Sequence, residues 1–346
     1  IPTLLIHTIK SFFLRITQVL IITYILMSYI DPDLDYSNIT LRVGTDCSGI
    51  DTPLLALKLL NINVIHKWSC EIDIFAKQQL LLNHSPEYFY DDIFTRDVNT
   101  LPDVDLYIAG CPCQSFSSAG LKQGLDCKNG LIFLEVIKVI KHKQPTYFII
   151  ENVKALLDKN NSEAFKIIKT ELNDLKDYTI NFEVLNTKDF GVPQHRRRLY
   201  IIGVKKSKPI TIRKPVIETN ILDYLDTTLP SNKEKCLIPR RQLVLNDVIR
   251  KKGIDLKDNW IITVGSSISF ARSYQDLCPC ITCFCNYYYI TSQERFLSIK
   301  ELYTLQGFPQ TYMIKDITNR KHYKLIGNAM SLNVLYFIFV SLFKIN

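Results

Sequence analysis

The sequence predicts an α/β protein: a doubly wound, mostly parallel sheet with a second, smaller lobe. Three observations carry this. From Leu41 to Val204, short β-rich runs alternate with helical stretches, as in a parallel sheet with crossover helices. After Lys205 the pattern breaks into polar, irregular sequence with scattered Pro, Lys and Arg. Helical periodicity then returns at Ser298–Gln306 and Ala329–Phe343.

The elements follow in order. Leu41–Asp46 reads as a strand, and Pro53–Leu60 as a helix capped by Asp51 or Thr52. Asn63–Cys70 is a second strand and Asp73–Leu82 a second helix. Asp105–Ala109 is a strand ending in Gly110, and Leu131–Lys141 is helical. Tyr147–Glu151 is a strand, Ser162–Leu175 a helix, and Thr179–Leu185 and Leu199–Val204 close the series as strands. In the polar region, strand-like runs occur at Trp260–Val264 and Asn286–Thr291. The expected divisions are a leader at 1–37, a sheet-bearing domain at 38–205, a smaller lobe at 206–290, and a return to the first domain at 291–346. Ligands of such sheets bind at the carboxyl ends of the strands.

Three readings of the leader stay open. Ser11–Ile30 is largely apolar, interrupted by Arg15. It is a membrane anchor, although Ile16–Ile30 falls short of the roughly 20 apolar residues a span needs. It is a signal peptide, with Lys10 and Arg15 before the apolar run. Or it is open-frame translation ahead of a start at Met27. No membrane partner is expected for the rest of the chain.

A hydrophobic fraction of 47% and a charged fraction of 22% exclude a disordered chain. The 42 basic and 34 acidic side chains leave a net charge of +8, which mildly favours an anionic partner such as nucleic acid or marks a soluble protein that is simply basic. The 10 cysteines are too sparse in 346 residues for a disulfide scaffold. That implies a reducing, intracellular compartment, cytoplasmic or nuclear according to host.

Four segments carry chemistry. Gly110-Cys111-Pro112-Cys113-Gln114-Ser115-Phe116-Ser117 leaves a strand end. A thiolate there can attack an electrophilic carbon; a buried structural cysteine or a redox pair is the alternative, although Cys-x-Cys is not the redox spacing. In Phe148-Ile149-Ile150-Glu151-Asn152-Val153, Glu151 ends a buried strand, either as an acid of raised pKa or as a helix cap. Gln194-His195-Arg196-Arg197-Arg198 precedes a strand, so Gln194, Arg196 and Arg198 would share a face. Such a row holds phosphate or a carbonyl oxygen, or is simply solvated. Finally, Gly49 in the turn after the first strand, with Glu71 ending the second, weakly suggests a nucleotide-like cofactor.

In order and spacing these segments resemble the cytosine-5 DNA methyltransferase family, over nearly all of Leu41–Lys344. Pro-Cys-Gln matches at Pro112–Gln114 and Glu-Asn-Val at Glu151–Val153. Gln-x-Arg-x-Arg matches at Gln194, Arg196 and Arg198. Leu-Gln-Gly-Phe-Pro matches at Leu305–Pro309, preceded by Arg295 and Glu301. Gly-Asn-Ala matches at Gly327–Ala329, followed by Asn333 and Val334.

The resemblance implies a Rossmann-like class I methyltransferase fold and methyl transfer from S-adenosylmethionine, with S-adenosylhomocysteine as product and no metal. The substrate would be double-stranded DNA and the protein a monomer. Cys113 would attack C6 of a flipped-out cytosine. Glu151 would hold or protonate N3, Arg198 would contact O2, and Arg196 would help place Arg198 or a phosphate. Glu71 and Ile72 would take the cofactor's ribose side, and Asp92 and Ile93 its adenine. Cys47, Ile50, Thr52, Pro112, Asn328 and Ala329 would line the rest. Gln114, Ser115, Ser117, Gln194, Arg240 and Arg241 would meet DNA, and 206–290 would be the target recognition lobe.

Two departures stand out. The family often has more glycines where this chain reads Ile50-Asp51-Thr52-Pro53, which bears on the methionine-end contacts. Where a Pro-Thr-x-Thr turn is usual, the chain has Cys278-Pro279-Cys280-Ile281-Thr282, then Cys283 and Cys285. Zinc is conceivable there, but the spacing is tighter than usual, and strand packing is the expectation. Three alternatives differ from this sequence at identifiable residues. The family's RNA-modifying branch carries a Cys-Phe-Thr triplet that is absent here. A non-catalytic copy would not need Cys113, Glu151, Arg196 and Arg198 intact. A dehydrogenase would carry Gly-x-Gly-x-x-Gly.

Overall fold

The computed structural model describes residues 35–112, 128–232, 237–284 and 287–344. The apolar leader therefore lies outside the described residues, as do Cys113, Gln114, Ser115 and Ser117.

The first part of the chain runs β1 (Thr40–Asp46), α1 (Thr52–Leu59), β2 (Asn63–Cys70), α2 (Ile74–Asn83), β3 (Tyr88–Tyr90), β4 (Leu106–Gly110), α3 (Lys128–Lys143), β5 (Tyr147–Val153), α4 (Ser162–Asn173), β6 (Tyr178–Asn186), β7 (Gln194–His195) and β8 (Arg197–Lys205). Seven of these strands form one sheet in the order β3-β2-β1-β4-β5-β8-β6. Neighbours from β3 to β5 are parallel; β8 alone is reversed, antiparallel to both β5 and β6. This agrees with the predicted fold class. Strands covered on both faces need continuous apolar sequence. Leu106–Ala109 and Phe148–Ile150 supply it, all fully buried. Trp68, Phe133, Ile137 and Ile168 fill the core beside them.

The rest of the chain runs α5 (Pro239–Lys252), β9 (Trp260–Thr263), β10 (Ser273–Gln275), β11 (Cys278–Pro279), β12 (Tyr288–Ile290), β13 (Arg295–Phe296), α6 (Ile299–Thr304), α7 (Asn319–Asn328) and α8 (Leu332–Phe343). A small antiparallel sheet takes the order β10-β9-β12-β13. Leu245 and Val248 of α5 pack with Ile262 and Tyr289 of that sheet. Helix α8 is apolar all round, and each residue from Leu332 to Phe343 is buried. It has the composition of a membrane span but the burial of a core helix.

Two compact units emerge. The larger takes residues 33–186, 197–213 and 334–346; the smaller takes 187–196 and 214–333. The expected divisions at 205/206 and 290/291 fall elsewhere. Residues 291–333 group with the smaller unit because buried polar bonds tie them there. Arg295 and Glu301 pair with each other and bond the Asp226 backbone, and Gln194 bonds Leu305 and Gln306.

Helix α5 was not expected. Its signals are present: Pro239 in the first turn, Gly253 left-handed just past the end, and Arg250, Lys251 and Lys252 in the last turn. Only Val244, Leu245 and Val248 are buried, too narrow a stripe to read as periodicity.

Candidate active site

In strand order, the chain's crossovers change direction between β1 and β4, the switch point at which such sheets bind ligands. Beyond β1 the chain makes an unusual turn. Cys47, Gly49 and Asp51 all have positive φ, at 47°, 57° and 55°. A Cβ added to Gly49 would meet nothing within 4 Å, so the turn leaves open space there. Glu71, just past β2, braces it: one carboxylate oxygen accepts from Gly49 N–H at 2.7 Å, the other from Asp73 N–H at 2.8 Å. Its own N–H donates to Tyr90 of β3. Asp92 follows β3 and accepts from Phe94 N–H at 3.0 Å. Cys47, Ile50, Thr52, Glu71, Asp92 and Ile93 thus sit past the carboxyl ends of β1, β2 and β3, with Ile50, Thr52 and Ile93 buried. Ile72 is 71% exposed.

The expected cap of α1 takes another role. Asp51 occupies the cap position, but its side chain makes no capping bond. It is wholly buried and accepts from the Thr45 and Ser69 hydroxyls. Asp46 was overlooked in the sequence. Also wholly buried, it accepts from Arg96, Tyr107 and Trp68 and knits the ends of β1, β2 and β4. A buried carboxylate persists only with such partners, and an Asp ending a buried strand was the available hint.

The chain leaves β4 through Cys111 and Pro112. Gly110 pairs with Glu151 in the β4–β5 register, and the Asn152 amide donates to the Cys111 carbonyl. Burial, reinforced by the charges of Asp46 and Glu151, pushes the Cys111 thiol far above its usual range. Burial does the same at Cys47 and Cys70. These thiols stay protonated at neutral pH and are poor nucleophiles.

Glu151 is 6% exposed. Arg198 lies across the reversed ladder, where Val153 pairs with Arg198, and its Nε stands 3.1 Å from a Glu151 carboxylate oxygen. The structure thus brings together two of the predicted catalytic residues.

One further predicted catalytic residue, Arg196, and one residue expected at DNA, Gln194, are buried within the smaller unit. Gln194, expected at DNA, is fully buried; its amide donates to Leu305 O at 2.6 Å and Gln306 Oε1 at 2.7 Å, and accepts from Ile281 N–H. Arg196, expected beside Arg198 or a phosphate, is 1% exposed and donates to the carbonyls of Ile281, Gly327 and Ala329. Strand β7 stops at His195 and β8 starts at Arg197, so a period of two does not carry across residues 194–198. Both side chains hold the smaller unit together.

Asn328 is exposed at the end of α7, while Ala329 is buried and offers its carbonyl to Arg196 and Gln306. Gly327 beside them allows close backbone approach: an added Cβ would stand 2.2 Å from the Thr282 and Cys283 backbones. Gly327→Ala is therefore expected to destabilise the fold by about 1–3 kcal/mol, since neither backbone can yield without strain. Urea denaturation checks this; an unchanged midpoint would refute the close packing. Arg240 is exposed, and Arg241 lies 3.6 Å above the Tyr287 ring. Among the described residues, no three His, Cys, Asp or Glu side chains group as a metal site. Cys285 lies outside them.

Comparison with known proteins matches this arrangement. Residues 47–344 match the family described as C-5 cytosine-specific DNA methylase. The Type II methyltransferase M.NgoBI of Neisseria gonorrhoeae is 32% identical over 275 residues, covering 78% of this chain and 83% of that protein. M.HhaI of Haemophilus parahaemolyticus is 28% identical, covering 78% and 85%. Among solved structures, the S. pombe Dnmt2 methyltransferase shares the fold, with a TM-score of 0.66 at 22% identity, over 88% of this chain and 99% of that one. The chain belongs to the C-5 cytosine-specific DNA methylase family and is a DNA cytosine-5 methyltransferase.

Proposed function

We propose that the protein transfers a methyl group from S-adenosylmethionine to C5 of cytosine in duplex DNA, through a covalent adduct of Cys113 with a base turned out of the helix. The observation that carries the reading is the Glu151–Arg198 pair, beside the strand that leads to Pro112 and Cys113. The cofactor fits the turn after β1. The left-handed residues 47, 49 and 51 open space over Gly49, and Glu71 and Asp92 offer carboxylates at neighbouring strand ends. Cys47, Ile50, Thr52, Glu71, Ile72, Asp92, Ile93 and Pro112 would hold it. S-adenosylmethionine supplies a methyl group on a positively charged sulfur.

The chain's residues do the rest. Cytosine C6 is out of reach inside a duplex, so the base is turned out at a cost of roughly a few kcal/mol. The Cys113 thiolate attacks C6, and the ring's electrons move toward C5 and N3. Glu151, as the acid, gives its proton to N3; the carboxylate left beside Arg198 then accepts a hydrogen bond from N3–H, and Arg198 donates to O2, so both act on charge that develops during attack. C5 takes the methyl group. Water or a hydroxide ion takes the proton from C5, the C5–C6 double bond re-forms, Cys113 leaves as thiolate, and N3 returns its proton to Glu151. Gln114, Ser115 and Ser117, next to the nucleophile, would meet the DNA. Arg196 supports this only at a distance, by holding its own unit.

The DNA would lie along the smaller unit. Residues 187–196 and 214–333 carry 18 basic and 12 acidic side chains, a net +6, which is most of the chain's +8. Phosphate contacts supply salt-dependent affinity and base contacts the specificity. Arg240 is exposed for such a contact, and Arg241 is part-buried against Tyr287. The loop between β9 and β10 exposes Ile268, Phe270 and Arg272.

The test is incubation of the purified protein with mixed-sequence duplex DNA and methyl-labelled S-adenosylmethionine. Label at cytosine C5 of the DNA is the expected result. Label on RNA alone, or on neither, would overturn the reading.

A further inference from the structure

Residue 51 is the oddest feature of the cofactor turn. Its backbone is left-handed (φ 55°, ψ 47°), a conformation glycine adopts without strain and most other residues resist. The chain nevertheless puts a carboxylate there and buries it completely.

What the carboxylate touches explains how it stays. Thr45 of β1 and Ser69 of β2 are direct partners in the parallel register, so their hydroxyls stand side by side. The Ser69 hydroxyl donates to Asp51 Oδ2 at 2.7 Å, and the Thr45 hydroxyl reaches the same oxygen at 3.0 Å. His66 Nε2 is 2.8 Å from Ser69 Oγ and 3.4 Å from Asp51 Oδ2. With the Ser69 proton committed to Asp51, Nε2–H is the donor of that bond. A relay thus runs from His66 through Ser69 to Asp51. The turn is closed locally too, since Asp51 N–H donates to Ser48 O at 2.8 Å. Oδ1 has no hydrogen-bond partner among the described residues.

We propose that Asp51 is a positioning residue for the methyl donor: its clamped carboxylate pins the turn 47–51 to the ends of β1 and β2, in the left-handed course that a glycine-rich turn would reach unaided. The inference rests on the cofactor reading above. It departs from a merely structural carboxylate in one respect. The clamp sets the affinity of the turn for its ligand, beyond the stability of the fold.

Glycine and asparagine separate backbone from side chain at this position. Asp51→Gly keeps the left-handed course open but removes the anchor. Asp51→Asn tolerates the same course and keeps an oxygen for Ser69. Calorimetric titration with S-adenosylmethionine and S-adenosylhomocysteine is the measurement. D51G is expected to bind about tenfold more weakly, the loss of a hydrogen bond to a charged group. Its KM for the cofactor should rise in parallel, while kcat at saturating cofactor changes less. D51N is expected to recover most of the affinity. Should D51G fail to fold, Ser69→Ala decides, because it removes one donor and leaves residue 51 intact; weaker binding is expected. Wild-type affinity in D51G, or in Ser69→Ala where that decides, would overturn the proposal. So would equal weakening in D51G and D51N. A wild-type protein that binds neither ligand would overturn the cofactor reading itself, and the inference with it.

Discussion

Replacing Cys113 by alanine is expected to lower methyl transfer to DNA by at least about a thousandfold, because no group is left to form the bond at C6. The other thiols near the strand ends cannot stand in. Cys47, Cys70 and Cys111 are held protonated by burial, and negative neighbours reinforce this. Cofactor binding should survive, since the turn at 47–51 and its brace Glu71 are untouched. Transfer of label by wild type and C113A side by side, with a calorimetric control for cofactor binding, makes the comparison. Residual transfer above a tenth of wild type would remove Cys113 from the mechanism.

The second large effect concerns stability. Arg295→Met is expected to cost about 3–5 kcal/mol, since it strands a buried carboxylate. Arg295 and Glu301 are both nearly inaccessible and meet through two bonds, at 2.9 and 2.6 Å. The same guanidinium also reaches Asp226 O and Gln293 Oε1. Glu301 in turn accepts from the N–H groups of Asp226 and Ser298, closing the capping box that starts α6. Removing the arginine leaves an unpaired charge inside the smaller unit. Urea denaturation reads the loss, and a second substitution, Glu301→Gln, should restore part of it. A change below about 1 kcal/mol would mean that the pair is screened as a surface pair is.

Much of this was legible in the sequence, for a definite reason. Runs of β-branched and aromatic residues advertise themselves as strands, so the reading of Asn63–Cys70 agrees at both ends and that of Tyr147–Glu151 falls short only at its end. Glu151 and Arg198 could be named because Glu-Asn-Val and Gln-x-Arg-x-Arg stand in the order that the family resemblance requires. What stayed hidden depends on neighbours distant in the chain. Nothing near Gln194 or Arg196 says that each meets backbone from Ile281 and beyond. Asp51 looks like an ordinary cap until the β1–β2 register sets Thr45 beside Ser69. Helix α5 was missed because its apolar stripe is only three residues deep.

The division of the chain has a consequence for how such an enzyme could acquire a new target. Within the described residues the backbone passes between the two units four times, after residues 186, 196, 213 and 333. The short stretch from Gln194 to Arg198 contributes to both: Gln194 and Arg196 are internal struts of one, and Arg198 faces Glu151 in the other. A unit built this way is not one continuous segment of the chain. Recombination that exchanged residues 214–333 alone would separate Arg196 from the carbonyls it holds. A workable graft must carry 187–196 as well, in register with an unaltered Arg197 and Arg198. Changes in exposed loops, such as that between β9 and β10, leave every one of those joints intact.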